Sequence, residues 1–368
     1  MMCKVQVSGF KLGLVSILLL VDFCLLLTAG GCATHEATIQ DPRSTRYEPV
    51  LVWPSPPQTP RIQYLQSISG PSDIDVKKSW FKKAIDTIFG KETIEDIMLR
   101  PYGVFADSER IYVTDPGVFL LHVFDMQDRR YFQIKKVNGE ELISPIGIAV
   151  DRNGEIYLSD SMLRRIFVFN REGRYLRDIG SPDVFIRPAG IAIDEERIYI
   201  VDTHGHHVLV FNKKDGKFIF SFGKNGSGKG DFNYPTNIFI GRDGLLYITD
   251  SLNFRIQIFD RKGNCLSAFG KHGDGTGDFS KPKGIAVDSE GHIYVADAHF
   301  DNIQIFNRDG RLLLGFGNTG RGRGEMILPA GIFIDEKDRI YIADSYNNRI
   351  QVFQYLKENE SAGKKVQR

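Results

Sequence analysis

The 368-residue sequence is short of the residues that cross-link folds or carry recognisable chemistry. It has four cysteines; Cys3, Cys24 and Cys32 fall at the start of the chain, so only Cys265 remains for a folded domain. One thiol can build neither a disulfide framework nor a cysteine-based metal site, and filling a small apolar space in an outer strand is its expected role. Charge of one sign is also missing. Lys plus Arg is 47 and Asp plus Glu is 46, which gives no bulk pull towards nucleic acid or acidic lipid. No apolar run reaches the ~20 residues of a membrane-spanning helix; the stretch from Gly13 to Leu27 is too short and is broken by Asp22. There is no Gly-x-Ser-x-Gly elbow and no His-Glu-x-x-His pair, so no catalytic set is legible from motif.

What the sequence does contain is repetition. Six copies of one pattern open at Pro101, Pro145, Pro188, Pro235, Pro282 and Pro329, spaced 44, 43, 47, 47 and 47 residues apart. Fourteen or fifteen residues after each proline an aspartate closes an apolar run: Asp115, Asp160, Asp202, Asp250, Asp297 and Asp344. Nine residues after each aspartate stands a phenylalanine, from Phe124 to Phe353. A fixed period in this range marks units that hide their apolar faces only against their neighbours.

The fifth copy shows the content of one unit. Four runs rich in Ile, Val, Tyr and Phe are separated by turn residues such as Ser289-Glu290-Gly291 and Asn307-Arg308-Asp309-Gly310. Such runs read as strands joined by hairpins. The second run, Ile293 to Ala296, is apolar throughout, as expected of a strand covered on both faces. Four antiparallel strands per unit, repeated six times, predict an all-β, six-bladed β-propeller. The sixth copy stops after its third strand, which would leave a sheet edge open. Tyr64-Leu65-Gln66-Ser67-Ile68 parallels Tyr175-Leu176-Arg177-Asp178-Ile179, so residues 62–69 are expected to complete the last blade.

The motif P-x-G-I-A-V-D, I-Y-V-A-D, R-I-Q-V-F and F-G resembles the NHL repeat, most closely from Pro329 to Phe353. The WD-type tryptophan signature is absent from the copies. The third-strand arginine is kept at Arg165, Arg255 and Arg349, and replaced by Leu120, His207 and Asn302.

Outside the repeats, Lys4 and Lys11, the apolar stretch and Thr28-Ala29-Gly30-Gly31-Cys32 resemble a bacterial lipoprotein signal over residues 1–31. That resemblance implies acylation of Cys32, as with palmitate, and residence in the cell envelope. Ala33 after the cysteine fits the outer membrane, facing the periplasm. Residues 32–60, rich in proline, are expected to be an unpaired tether. The propeller is expected over 61–356 as a monomer, and a flexible tail over 357–368. Within the insertion 71–99, Trp80, Phe81, Ala84, Ile85, Ile88 and Phe89 predict one short amphipathic helix before blade one.

Candidate sites follow from topology. The links between blades and the turns joining second to third strands must share one face. The six-aspartate ladder falls there and is expected to accept backbone N–H bonds. The loop Gly223 to Gly230 nearly spells a phosphate loop, but Gly230 stands where Ser or Thr is needed, and the loop recurs as a connector. His204 and His299, two residues after their ladder aspartates, are candidate ligands for a divalent metal ion; otherwise no cofactor is expected. Peptide-amidating propeller lyases resemble this fold but place histidine beside the blade-opening proline. Here those places hold Tyr102, Ile146, Ala189, Thr236, Lys283 and Ala330. Five copies have glycine two residues after the proline and the fourth has Asn237. Tyr102, Thr236, Asn237 and Lys283, with Tyr346, are therefore candidate ligand-binding residues at the channel rim; alternatively, Asn237 serves a left-handed turn. The expected function is binding or scaffolding of an envelope protein or other ligand on the link face. The alternative is a metal-assisted lyase or lactone hydrolase at the channel mouth.

Overall fold

A computed structural model describes residues 49–74, 76 and 97–357. Six antiparallel sheets stand around a central channel. Blade five, for example, comprises Pro282–Val287, Ile293–Asp297, Asn302–Phe306 and Leu312–Phe316, ordered from the channel outwards. The second strand of every blade is buried along its whole length or nearly so. That burial explains its continuous apolar run, because neighbouring blades cover both faces.

The core consists of six clusters of buried residues, each shared between adjoining blades. In one of them Ile166, Val168, Ile179 and Phe185 meet Ile191, Ile198, Ile200 and Phe211 of the next blade. Each such side chain contributes about 1.5–3 kcal/mol by leaving water, so the blades stabilise one another.

The innermost strands must approach closely for the ring to close. A Cβ on Gly147 would lie 2.0 Å from the Ala189 carbonyl oxygen, and one on Gly331 would lie 2.3 Å from that of Tyr102. Glycine is thus required here by proximity of neighbouring backbone rather than by a positive φ. The last seam is sealed by Gly331 N–H donating to Tyr102 O at 2.8 Å and Ser345 Oγ donating to Pro101 O at 2.6 Å.

The outer part of blade six comes from far upstream. Ile62–Ile68 pairs antiparallel with Arg349–Tyr355, in register from Ile62↔Tyr355 to Ile68↔Ile350, with a bulge near Leu65. The tether expectation for 32–60 is corrected over its described part. Val52–Trp53 adds a fifth strand, pairing Val52↔Gln63 and Trp53↔Ile62. The physical reason is aromatic: Trp53 packs 5.8 Å from Phe316 of blade five and 5.7 Å from Phe353 of blade six, between ring centroids. At the other end Lys357, assigned to the tail, pairs its Nζ with Asp338 at 3.0 Å. Pro71–Ile74 is a short 3-10 turn. Cys32, the signal segment and the helix expected between Ser79 and Gly90 lie outside the described residues.

Candidate functional site

The aspartate ladder lies at the ends of the second strands, and all six carboxylates are fully buried. Each accepts from backbone N–H groups of the link that enters its own blade. Asp297 takes Ser280 N at 2.7 Å, Lys281 N at 2.9 Å and His299 N at 3.1 Å; Asp160 takes Ile143 N at 2.8 Å and Ser144 N at 3.0 Å. In blades four and six the third-strand arginine joins in. Arg349 Nε donates to Asp344 at 2.8 Å while its Nη atoms donate to the carbonyls of Arg321, Gly322 and Glu325 in the glycine-rich link. Arg255 does the same with Asp250 and the link at Ser227, Gly228 and Asp231. The loop that mimics a phosphate site is thus an arginine-clamped connector. Arg165 departs from this role and faces Glu140 and Asp178 instead.

A second ladder was not singled out from the sequence, although its signal was present. A tyrosine stands three residues before every ladder aspartate, and all six are buried. Their hydroxyls point to the opposite face, where Tyr247 donates to Asp243 at 2.8 Å and Tyr294 to Asp288 at 3.0 Å. These pairs hold the hairpins between first and second strands. Cys265 packs beside the core of blades three and four, with Sγ 3.4 Å from Gln257 Oε1.

The mouth of the channel on the link face carries the distinctive chemistry. Tyr102, Thr236 and Asn237 line a cavity of about 220 Å³ whose deeper wall is formed by Ile148, Ile191, Ile238, Ile285 and Ile332. Its far end meets Phe105, Phe239 and Phe333, with centroid separations of 4.4 Å (Phe105 to Phe333) and 6.1 Å (Phe239 to Phe333). Lys283 reaches over the mouth from blade five and sets its ammonium 5.5 Å from the centre of the Tyr102 ring in blade one. The intervening blade has only Ala330 at the equivalent position, which leaves room for the span. Burial, assisted by Lys281, pushes the Lys283 amine down to about 8, and burial pushes the Tyr102 phenol up.

Asn237 does not serve a left-handed turn, since it is not among the residues of positive φ. Its Oδ1 accepts from Ile238 N at 2.8 Å. Blade four also shifts register between Pro235 and Asn237, whereas blade five does so between Pro282 and Ile285. The seam to blade five is made by Thr236 Oγ1 donating to Lys283 O at 2.9 Å.

The other candidates are not brought to this mouth. His204 stacks edge-on against Tyr234 at 5.1 Å, and His299 Nδ1 lies 3.2 Å from Ser280 Oγ. They occupy the same place in blades three and five, with Leu252 of blade four between them. Among the described residues no group of three or more His, Cys, Asp or Glu side chains is arranged to hold a metal ion. With a blade between them, each histidine has its own neighbours. Tyr346 does not line the cavity; it lies half-exposed in the turn after Asp344, under the guanidinium of Arg100 at 5.5 Å.

The link face has a second property. Leu99, Phe119, Ile143, Met162, Ile186, Leu252 and Tyr346 are all exposed on its links and turns. Among the described residues, the hairpins of the opposite face expose no large apolar side chain.

Comparison with known proteins agrees with the architecture. Human NHL repeat-containing protein 3 is 32% identical over 84 residues, covering 22% of this chain and 24% of that protein. The chain spans only 13 to 24% of the length of the first curated relatives it matches. An auxiliary nutrient binding protein from Bacteroides thetaiotaomicron superposes with a TM-score of 0.56 at 13% identity, over 71% of this chain and 70% of that one. Virginiamycin B lyase from Staphylococcus aureus gives a TM-score of 0.52 at 16% identity, over 70% of this chain and 96% of that one. At such identities the likeness is one of fold. The sequence model of one family matches residues 138–203, 183–244, 242–303 and 288–360. With six blades, most of them matched, the chain belongs to the 6-bladed beta-propeller family DUF5128.

Proposed function

We propose that this propeller is a binding module of the bacterial cell envelope, tethered through an acylated Cys32, that holds a protein partner against its link face. The observation that carries the reading is the asymmetry of exposed apolar surface. Single exposed apolar residues are ordinary, but a collection on one face of the ring and none in the hairpins of the other marks an interaction surface. The ladder aspartates beneath it are consumed by backbone N–H groups, so they hold the links rigid and present those side chains on a fixed frame.

Photo-crosslinking residues placed at Met162 and Leu252, and at Asn153 on the hairpin face, test the proposal in intact cells. Defined adducts from the first two positions and none from the third are expected. Equal labelling from both faces would overturn it. The anchor is tested separately. Cys32→Ala should move the protein from the membrane fraction to the soluble one, and retention of the variant in membranes would remove the lipid from the account.

A further inference from the structure

We infer that the channel mouth is a site for a small carboxylate with an apolar tail, its head held by Lys283, Tyr102 and Asn237 and its tail in the lumen. The inference deepens the proposed function, since it rests on the link face being the binding face. It concerns a different ligand from the protein partner and a different part of that face.

The head-group chemistry follows from which atoms remain free. Asn237 has its amide oxygen engaged by Ile238 N, so among the described residues only its Nδ2 donor is left without a partner. The Tyr102 hydroxyl has no hydrogen-bond partner among those residues, and the Lys283 ammonium has no carboxylate partner. The residues that follow the six blade-opening prolines include no acid. The nearby ladder carboxylates are fully buried and accept N–H bonds from the links. The mouth therefore offers three donors, one of them cationic, and no competing anion. Charge-assisted hydrogen bonds to a carboxylate are about twice as strong as neutral ones.

The tail chemistry follows from the wall. Isoleucines surround the 220 Å³ lumen, and phenylalanines stand at its far end. An apolar cavity of about 150 Å³ is known to admit benzene, so a ring or a short aliphatic chain fits, whereas a large ligand does not. Asn237 stands in place of the glycine of five other copies, and Lys283 is the one cation among the six residues that follow the blade-opening prolines; both serve this one mouth.

Lys283 sets the pH dependence. The groups that face it are the Tyr102 ring and phenol and Lys281, all of them neutral or cationic near neutrality. Burial brings its amine down to about 8. An anion needs the protonated form, so affinity holds below that pH and declines above it, by up to about tenfold per pH unit.

The full-length protein is titrated calorimetrically with benzoate and hexanoate, with the neutral isostere benzamide and with tail-less acetate. Saturable binding of benzoate or hexanoate is expected, with benzamide and acetate at least tenfold weaker. Lys283→Met should weaken the carboxylate at least tenfold. Asn237→Gly, which restores the residue of the other copies, should weaken it several-fold, and the parent protein should lose affinity between pH 7 and 9. Absence of saturable carboxylate binding, benzamide binding as well as benzoate, or parental affinity in Asn237→Gly together with a flat pH profile would each overturn the inference. The pH profile needs no variant, so misfolding of a mutant cannot shield the proposal. Crosslinks from Met162 and Leu252 that persist when carboxylates fail to bind would assign the failure to this site and leave the partner face standing.

Discussion

At the residue scale the fold depends on how each buried carboxylate is satisfied, and the copies differ in a measurable way. Asp344 receives Arg349, Gln351, Asn347 and a backbone N–H, whereas Asp297 receives backbone N–H groups alone. Asp344→Ala strands a nearly buried guanidinium and should cost about 3–5 kcal/mol. Asp297→Ala leaves only neutral donors unpaired, which water can reach on the exposed links, and should cost less, about 1–3 kcal/mol in all. Urea denaturation of the two variants reads the difference, and equal losses would show that the arginine clamp adds nothing. A second residue-scale prediction concerns His292. Its Nδ1 lies 2.9 Å from Asp288 Oδ2, and that hydrogen bond raises its pKa against an opposing contribution from burial, with Glu290 helping and Arg61 opposing. A raised folded pKa means that the stabilisation is complete below about 6.5 and is lost as pH climbs through the folded value. The stability gap between the parent and His292→Asn should therefore be wider at pH 6 than at pH 8.5, as judged by thermal melts across that range.

At the element scale the telling segment is the one that composition misreads. Trp53 lies in a run with Pro49, Pro54, Pro56, Pro57 and Pro60, which resembles a linker. Its ring nonetheless bridges Phe316 and Phe353 across blades five and six. Trp53 is partly buried, so Trp53→Ala should cost less than a fully buried core aromatic, about 1–3 kcal/mol, where a true tether residue would cost nothing measurable. Guanidinium unfolding decides between them. The blades themselves were legible because their signals are local: period-two strands, turn residues and a fixed spacing all sit within one copy. Strand Ile62–Ile68 was legible because it repeats the outer-strand pattern of Tyr175–Ile179. The strand at Val52–Trp53 was not, since two residues carry no periodicity and the rings that hold Trp53, Phe316 and Phe353, are hundreds of positions away. Of the proposed rim, Asn237 stood out because it replaces the glycine of five copies, and Tyr102, Thr236 and Lys283 because they are the polar side chains among the residues that follow the blade-opening prolines. Tyr346 was misplaced because a turn residue's direction is set by its neighbours, here Arg100. The tyrosine ladder was fully written in the sequence and is visible once the copies are aligned on aspartate rather than proline.

At the scale of the whole molecule, the ring separates stability from recognition. Core clusters lie between blades, hairpins with aspartate–tyrosine pairs close one face, and a collar of exposed apolar side chains lies on the other, with further ones on the outer strands. A substitution on that collar should therefore leave stability within about ±0.5 kcal/mol, as for surface positions away from buried networks. The double variant Met162→Asp with Leu252→Asp tests this: both side chains are exposed, 53% and 44%, and they sit in equivalent turns of blades two and four. Its melting temperature should match the parent's while adducts from a photo-crosslinking residue placed at Ile186, exposed on the same face, vanish. Aspartate is the informative choice, because it keeps the backbone and adds a charge that an apolar partner surface would have to desolvate without a counter-ion. Retained adducts in a stably folded double variant would mean that the collar is only exposed surface, and the partner would then have to be sought on the outer strands.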